Sequence, residues 1–192
     1  EPVPVARIAD AFGISPMPVR EALTRLLAKG VLTNVSGRSV GVPKVSLENL
    51  TDVRNVRLEV ESVAVEWSIK NSDEKFIKDL KKLFEGLVDA EKRKDVRDFI
   101  RLNYEFHFRL YEQSRSAELM QIIDNLWLKV SPILHHLQFN DRFKVSNESH
   151  KAIIEAISKQ DIVNAKAALA QDISWSYEDF ISPLSRETSV EK

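Results

Sequence analysis

The sequence predicts a mainly α protein: an amino-terminal winged helix-turn-helix, truncated at its start and with a short two-stranded wing, followed by an antiparallel all-α bundle of about six helices. Three observations carry this. Two short amphipathic stretches flank Gly13, a β-branched run punctuated by glycine follows at 31–43, and from about residue 46 apolar residues recur at helical spacing almost to the end, with Gly86 the one glycine in that stretch.

In the first stretch Val5, Ile8, Ala9 and Phe12 recur on one helical face, and Gly13 sits where a three- or four-residue turn would reverse the chain. The second, Ser15 to Leu32, places Arg20, Thr24 and Arg25 opposite an apolar stripe of Val19, Leu23, Leu26 and Leu27, the pattern of a DNA recognition helix. Beyond it, Gly30-Val31-Leu32-Thr33 leads through Val35, Ser36-Gly37-Arg38 and Val40 to Val42-Pro43, two short strands around a glycine turn. This assigns residues 1–43 to a winged helix-turn-helix, 44–47 to a linker, 48–184 to the helical domain and 185–192 to a polar tail.

Six helices are expected in the bundle. The first starts near Ser46 and carries Leu50, Val53, Val56, Val60 and Val63, and the second starts near Asp73 with Phe76, Leu80, Leu83 and Leu87. A third runs from about Val96 to Gln113, a fourth from Ala117 through Pro132, a fifth from about Asn147 to Lys159, and a sixth from Asp161 to Ile181.

With 192 residues and 43% hydrophobic content, the chain can bury one large or two small cores. There is no cysteine, so disulfides and thiolate metal sites are excluded. No apolar run of about 18 residues and no secretory leader is present, and a cytoplasmic protein without membrane segments is expected. Net charge is −1, yet residues 1–43 hold five basic side chains against three acidic ones. That small excess would bind phosphates weakly in a single copy, so a homodimer on double-stranded DNA is expected.

A polar cluster stands out against the apolar faces. Asn103 and His107 lie four residues apart on the inward face marked by Phe99, Phe106 and Leu110. His150 points with Ile153, Ile154 and Ile157, and Asp172 aligns with Ala165, Leu169, Ser176 and Phe180. An inward carboxylate costs several kcal/mol unless compensated. Two imidazoles, a carboxylate and an amide oxygen form a nitrogen and oxygen set suited to zinc, nickel or manganese, with positions left open for water or ligand. A single inward His is ordinarily a hydrogen-bonded core residue; four polar groups converging on one interior ask for a partner, which a divalent metal would supply. His135-His136 rank below His107 and His150, since neighbours on a helix cannot both face inward.

The order helix, turn, helix, wing, together with Pro18-Val19-Arg20-Glu21-Ala22-Leu23, resembles the GntR family of bacterial transcriptional regulators. Phe106-His107, Ser146-Asn147-Glu148-Ser149-His150 and Asp161-Ile162-Val163-Asn164-Ala165 extend the resemblance to the FadR-like subgroup with an FCD ligand-binding domain. The resemblance implies DNA contacts at Arg7, along the recognition helix from Ser15 and Met17 to Arg20 and Thr24, and at Gly37-Arg38, with Pro16 where some relatives hold a basic residue. Arg suits such places because its planar fork can bond guanine or clamp a phosphate. It also implies one further helix ahead of this point; the chain opens at Glu1-Pro2-Val3-Pro4, and a fragment lacking that helix is expected.

Family metal sites are commonly one Asp and three His; here Asn103 stands for the Asp and Asp172 for the last His, while His107 and His150 match. Arg57 and Arg142 fall where relatives place effector-binding arginines, the alternative for each being a salt bridge. The implied function is a ligand-responsive repressor sensing a small carboxylic acid. Two other readings compete: a metal-dependent enzyme, against which Glu105 and Glu148 face away from the ligands and leave no general base, and a helical protein-interaction module.

Overall fold

The computed structural model describes residues 2–36, 39–43, 46–134 and 142–187. The chain begins with α1 (Val5–Phe12) and α2 (Pro16–Ala28), then strands β1 (Thr33–Ser36) and β2 (Ser39–Gly41). Gly13 closes α1 in the left-handed conformation at φ 63°, its N–H reaching Ala9 and Asp10 carbonyls, which glycine adopts without steric cost. Ser15 is extended and Pro16 occupies the first helical position, where a missing N–H is harmless, so α2 starts after a turn of three residues. The strands pair antiparallel, Thr33 with Gly41 and Asn34 with Val40, and the Val3 N–H donates to the Val40 carbonyl at 2.8 Å, tying the chain's start to the wing. Ala9, Val19, Leu23 and Leu32 form a small core of their own. The expected winged helix-turn-helix is present; the tip residues Gly37 and Arg38 lie outside the described residues.

The remainder consists of α3 (Leu47–Lys70), α4 (Glu74–Arg93), α5 (Val96–Glu112), α6 (Ala117–Leu134), α7 (Arg142–Ser158) and α8 (Ile162–Glu187). Side chains of Ser46, Asp73 and Asp95 accept the N–H of Asn49, Phe76 and Asp98 and so start α3, α4 and α5 by satisfying an orphan donor. In this bundle α8 packs on α7 and α3, and α4 on α5 and α7, which leaves α5 and α8 facing a shared interior. Gly86 permits the close approach of α4 to α5, because a Cβ there would stand 3.2 Å from Leu102. Among the described residues no helix is long and apolar enough to cross a membrane.

Six bundle helices match the expected number, with two shifts. The expected start of α7 near Asn147 is corrected to Arg142: Phe143 buries edge-on against Phe99 at 4.5 Å, and that tertiary contact recruits an extra turn. The expected end of α8 at Ile181 is corrected to Glu187, so the assigned polar tail begins inside a helix.

The core spans every bundle helix, with Phe76, Leu80, Leu87, Phe106, Leu110, Ile153, Ile157 and Leu169 fully buried. Truncating one such side chain loses both transfer energy and packing. Phe76→Ala is expected to lower stability by about 3–5 kcal/mol in urea denaturation, whereas Val163→Ala, on the exposed face of α8, should change it by less than about 0.5 kcal/mol.

Candidate metal centre and DNA-facing surface

On the winged helix the sequence-nominated residues are solvent-facing. Arg7 on α1 and Ser15, Met17, Arg20 and Thr24 at and along α2 are all exposed, while Val19 and Leu23 on the opposite side of α2 are buried. The Thr24 hydroxyl donates to the Arg20 carbonyl at 2.9 Å, so toward an outside group its oxygen remains as an acceptor. Lys29, capping α2, forms an ion pair with Asp124 of α6 at 3.5 Å, a direct contact between the winged helix and the bundle.

Inside the bundle α5, α7 and α8 bring His107, His150 and Asp172 together, all three buried, with ligand atoms within 4.8 Å of one another. The two Nε2 atoms lie 3.1 Å apart. His107 Nε2 is 3.1 Å from Asp172 Oδ2, and His150 Nε2 is 3.7 Å from Oδ1. The Ser146 hydroxyl donates to Asp172 Oδ1 at 2.8 Å. Each residue arrives by helical periodicity: on α5 the buried set is Phe99, Leu102, Phe106, His107, Phe108, Leu110 and Tyr111, and on α7 His150 sits with Ile153, Ile154 and Ile157.

Burial pushes the His150 imidazole down to about 4, against the opposing pull of Asp172. The same desolvation works to raise the Asp172 carboxyl, yet the imidazoles and the Ser146 hydroxyl outweigh it and hold it at about 2. Near neutral pH the centre therefore combines an ionised carboxylate with an uncharged His150.

The donor set and its spacing fit a divalent cation. Ligands bound at about 2.0–2.2 Å in tetrahedral or octahedral arrangement stand about 3.0–3.5 Å from each other, the separation seen between the two Nε2 atoms and between His107 Nε2 and Asp172 Oδ2, with His150 Nε2 a little farther from the carboxylate. Asn103, one turn before His107, is half-buried and, among the described residues, adds no hydrogen bond to the cluster. His135 and His136 lie outside the described residues, as does the side chain of Arg142.

Beyond the expected ligands lies a second layer that the sequence reading missed. Tyr111, one turn after His107, has its hydroxyl 3.1 Å from His107 Nδ1 and donates to Glu61 Oε2. Glu61, fully buried on α3, accepts from Arg57 Nε at 2.6 Å. The Arg57 guanidinium also lies over the Trp127 ring at 4.7 Å, and that ring is 5.4 Å from the His107 ring. For Arg57 an effector contact and a salt bridge were both expected readings; the salt bridge is present, with Glu61 on the Nε edge of its fork. Burial lowers the Arg57 pKa and Glu61 more than offsets it, so the cation is held above its ordinary range.

The comparisons with known proteins match this architecture. Residues 52–174 match the model of the FCD domain and residues 1–42 that of the bacterial regulatory proteins of the gntR family. The chain belongs to the GntR family, in the branch that carries an FCD domain. It is 28% identical over 167 residues to the HTH-type transcriptional regulator McbR of Escherichia coli, covering 85% of this chain and 76% of that protein. The solved structure of McbR/YncC superimposes with a TM-score of 0.90 at 24% identity, over 96% of this chain and 88% of that one. The gluconate operon transcriptional repressor of Bacillus subtilis is 25% identical, covering 90% of this chain and 71% of that protein. A metal-free FCD domain, that of TM0439, aligns with a TM-score of 0.63 at 19% identity, over 75% of this chain and 99% of that one. This GntR-family chain is thus a DNA-binding transcriptional regulator and not an enzyme, which removes the catalytic reading.

The Arg57 and Glu61 pair sets a stability expectation. Removing the cation strands a fully buried carboxylate, so Arg57→Ala should cost about 3–5 kcal/mol by chemical denaturation. Removing both charges together in an Arg57→Met, Glu61→Leu double variant should restore a large part of that loss.

Proposed function

We propose that this regulator is a repressor whose FCD domain holds a divalent metal through His107, His150 and Asp172, and that a small organic acid completing the shell is its effector. The observation that carries the reading is the convergence of three buried ligand atoms from three helices on one point. Zinc, nickel or manganese suits two nitrogens and a carboxylate, with Asn103 within one turn as a weak fourth donor. When bound, the metal supplies positive charge and open coordination positions for the oxygens of an acid.

Open coordination positions on a divalent ion favour oxygen ligands, which suits a small organic acid as the effector. The name of the B. subtilis gluconate operon repressor is in keeping with an organic acid of this kind, and its designation as a repressor supports that mode here. Arg142, opening α7, is retained as an effector contact; Arg57 instead lines the site through Glu61 and Trp127.

On the DNA side, Arg7, Ser15, Met17, Arg20 and Thr24 with the Gly37-Arg38 tip form the proposed operator contacts, doubled in a homodimer. Two physical links join the halves. Helix α3 starts at Leu47, six residues after the wing's last strand, and carries Arg57 and Glu61; α6 carries both Trp127 over Arg57 and Asp124 against Lys29. An acid that packs differently against Trp127 and α3 in the two arrangements of the dimer shifts the spacing of the winged helices by its differential affinity.

The test is elemental analysis of the purified protein, followed by a thermal-shift screen of carboxylic acids with and without added metal. Near-stoichiometric metal, lost in His107→Ala, and stabilisation by at least one acid only in the metal-loaded protein are expected. Protein that neither carries nor takes up zinc, nickel or manganese contradicts the metal reading.

A further inference from the structure

Glu61 lies beside Arg57, whose Nε donates to it at 2.6 Å, so the carboxylate is an acceptor only. The Tyr111 hydroxyl has one proton, and it goes to Glu61 Oε2. The Tyr111 oxygen therefore faces His107 with lone pairs alone, and a bond across the 3.1 Å to His107 Nδ1 requires the proton to sit on the imidazole. In a neutral ring that leaves the lone pair on Nε2, the atom aimed at Asp172 and at His150 Nε2.

We propose that Arg57, Glu61 and Tyr111 form a relay that fixes the tautomer of His107 and makes its Nε2 the metal-donor atom. The three are positioning residues acting through the imidazole, and the proposal rests on the metal reading above. The cluster is asymmetric in a way that supports it. His150 Nδ1 is buried and has no hydrogen-bond partner among the described residues, so of the two imidazoles His107 alone is oriented from behind. The relay also assigns a purpose to a fully buried Glu61 that packing does not supply, since an aliphatic side chain would fill α3's inner face without the need for a buried cation. Outer partners of this type fix ring orientation and raise ligand basicity, and their loss typically weakens metal binding about 10–100-fold.

The experiment strips the full chain of metal with a chelator and titrates cobalt(II), following its visible absorption and competing it with a chromophoric chelator. Wild type, Tyr111→Phe, Glu61→Gln, the double variant, and Tyr104→Phe on the exposed side of α5 are compared. Tyr111→Phe and Glu61→Gln should each weaken cobalt binding by about 10–100-fold and alter the cobalt spectrum. The double variant should fall no further than the worse single one, because both substitutions cut the same chain. Tyr104→Phe should behave as wild type. Where Tyr111→Phe fails to fold, the near-isosteric Glu61→Gln carries the test. Folded variants that keep wild-type affinity within about twofold and an unchanged spectrum overturn the relay while leaving the metal site standing. Wild-type protein that takes no cobalt overturns both.

Discussion

A carboxylate held ionised in a dry interior, beside the nitrogens of two imidazoles, is the constraint around which the bundle is arranged. Asp172 is buried on α8, and isolated burial of such a charge would cost several kcal/mol. The Ser146 hydroxyl donates to one of its oxygens, and the imidazoles of His107 and His150 face the carboxylate at 3.1 and 3.7 Å. Each neighbouring element takes its place relative to that demand: α5 and α7 supply imidazoles, and α3 supplies an ion pair that reaches His107 through Tyr111.

The same constraint relates the two halves of the molecule. Helix α3 is both the first element after the wing and the carrier of the buried Arg57 and Glu61, so a change in how that pair packs acts on the helix that connects to the DNA-binding domain. Trp127 gives α6 a similar double position, touching the Arg57 face on one side while Asp124 of the same helix meets Lys29 at the end of α2. The ion pair with Lys29 is exposed and individually weak, which suits a contact that exchanges between two arrangements better than one that locks the domains.

Much of this was legible in the sequence because helices report their buried face by spacing. The inward placement of His107, His150 and Asp172 followed from Phe106 and Leu110, from Ile153 and Ile157, and from Ala165 and Leu169, and the winged helix from Gly13, the apolar stripe of Val19 and Leu23, and the glycine-turned wing residues. Glu61 was not legible. It stands in a run dense with charge, Arg54, Arg57 and Glu59, and reads as a solvated residue, although its alignment with Ala64, Val65 and Ser68 on the buried face of α3 was a signal available in the spacing. Tyr111 could be placed on the face of His107, but its role depends on a contact with α3 fifty residues away, which no local pattern encodes. The early start of α7 was hidden for the same reason: the edge-on packing of Phe143 on Phe99 is tertiary. For Arg57 the sequence left an effector contact and a salt bridge open, because an arginine's partner is decided by the carboxylate nearest in space, here one turn along its own helix.

The most direct measurement is anomalous diffraction from crystals of the full chain grown with zinc, with data collected on both sides of the zinc absorption edge. The account predicts one strong anomalous peak inside the bundle, about 2.0–2.2 Å from His107 Nε2, His150 Nε2 and an Asp172 oxygen, with Tyr111 still bonded to His107 Nδ1. An absence of anomalous signal between α5, α7 and α8 in crystals that hold zinc elsewhere, or a metal reached through Nδ1 of His107, would contradict it.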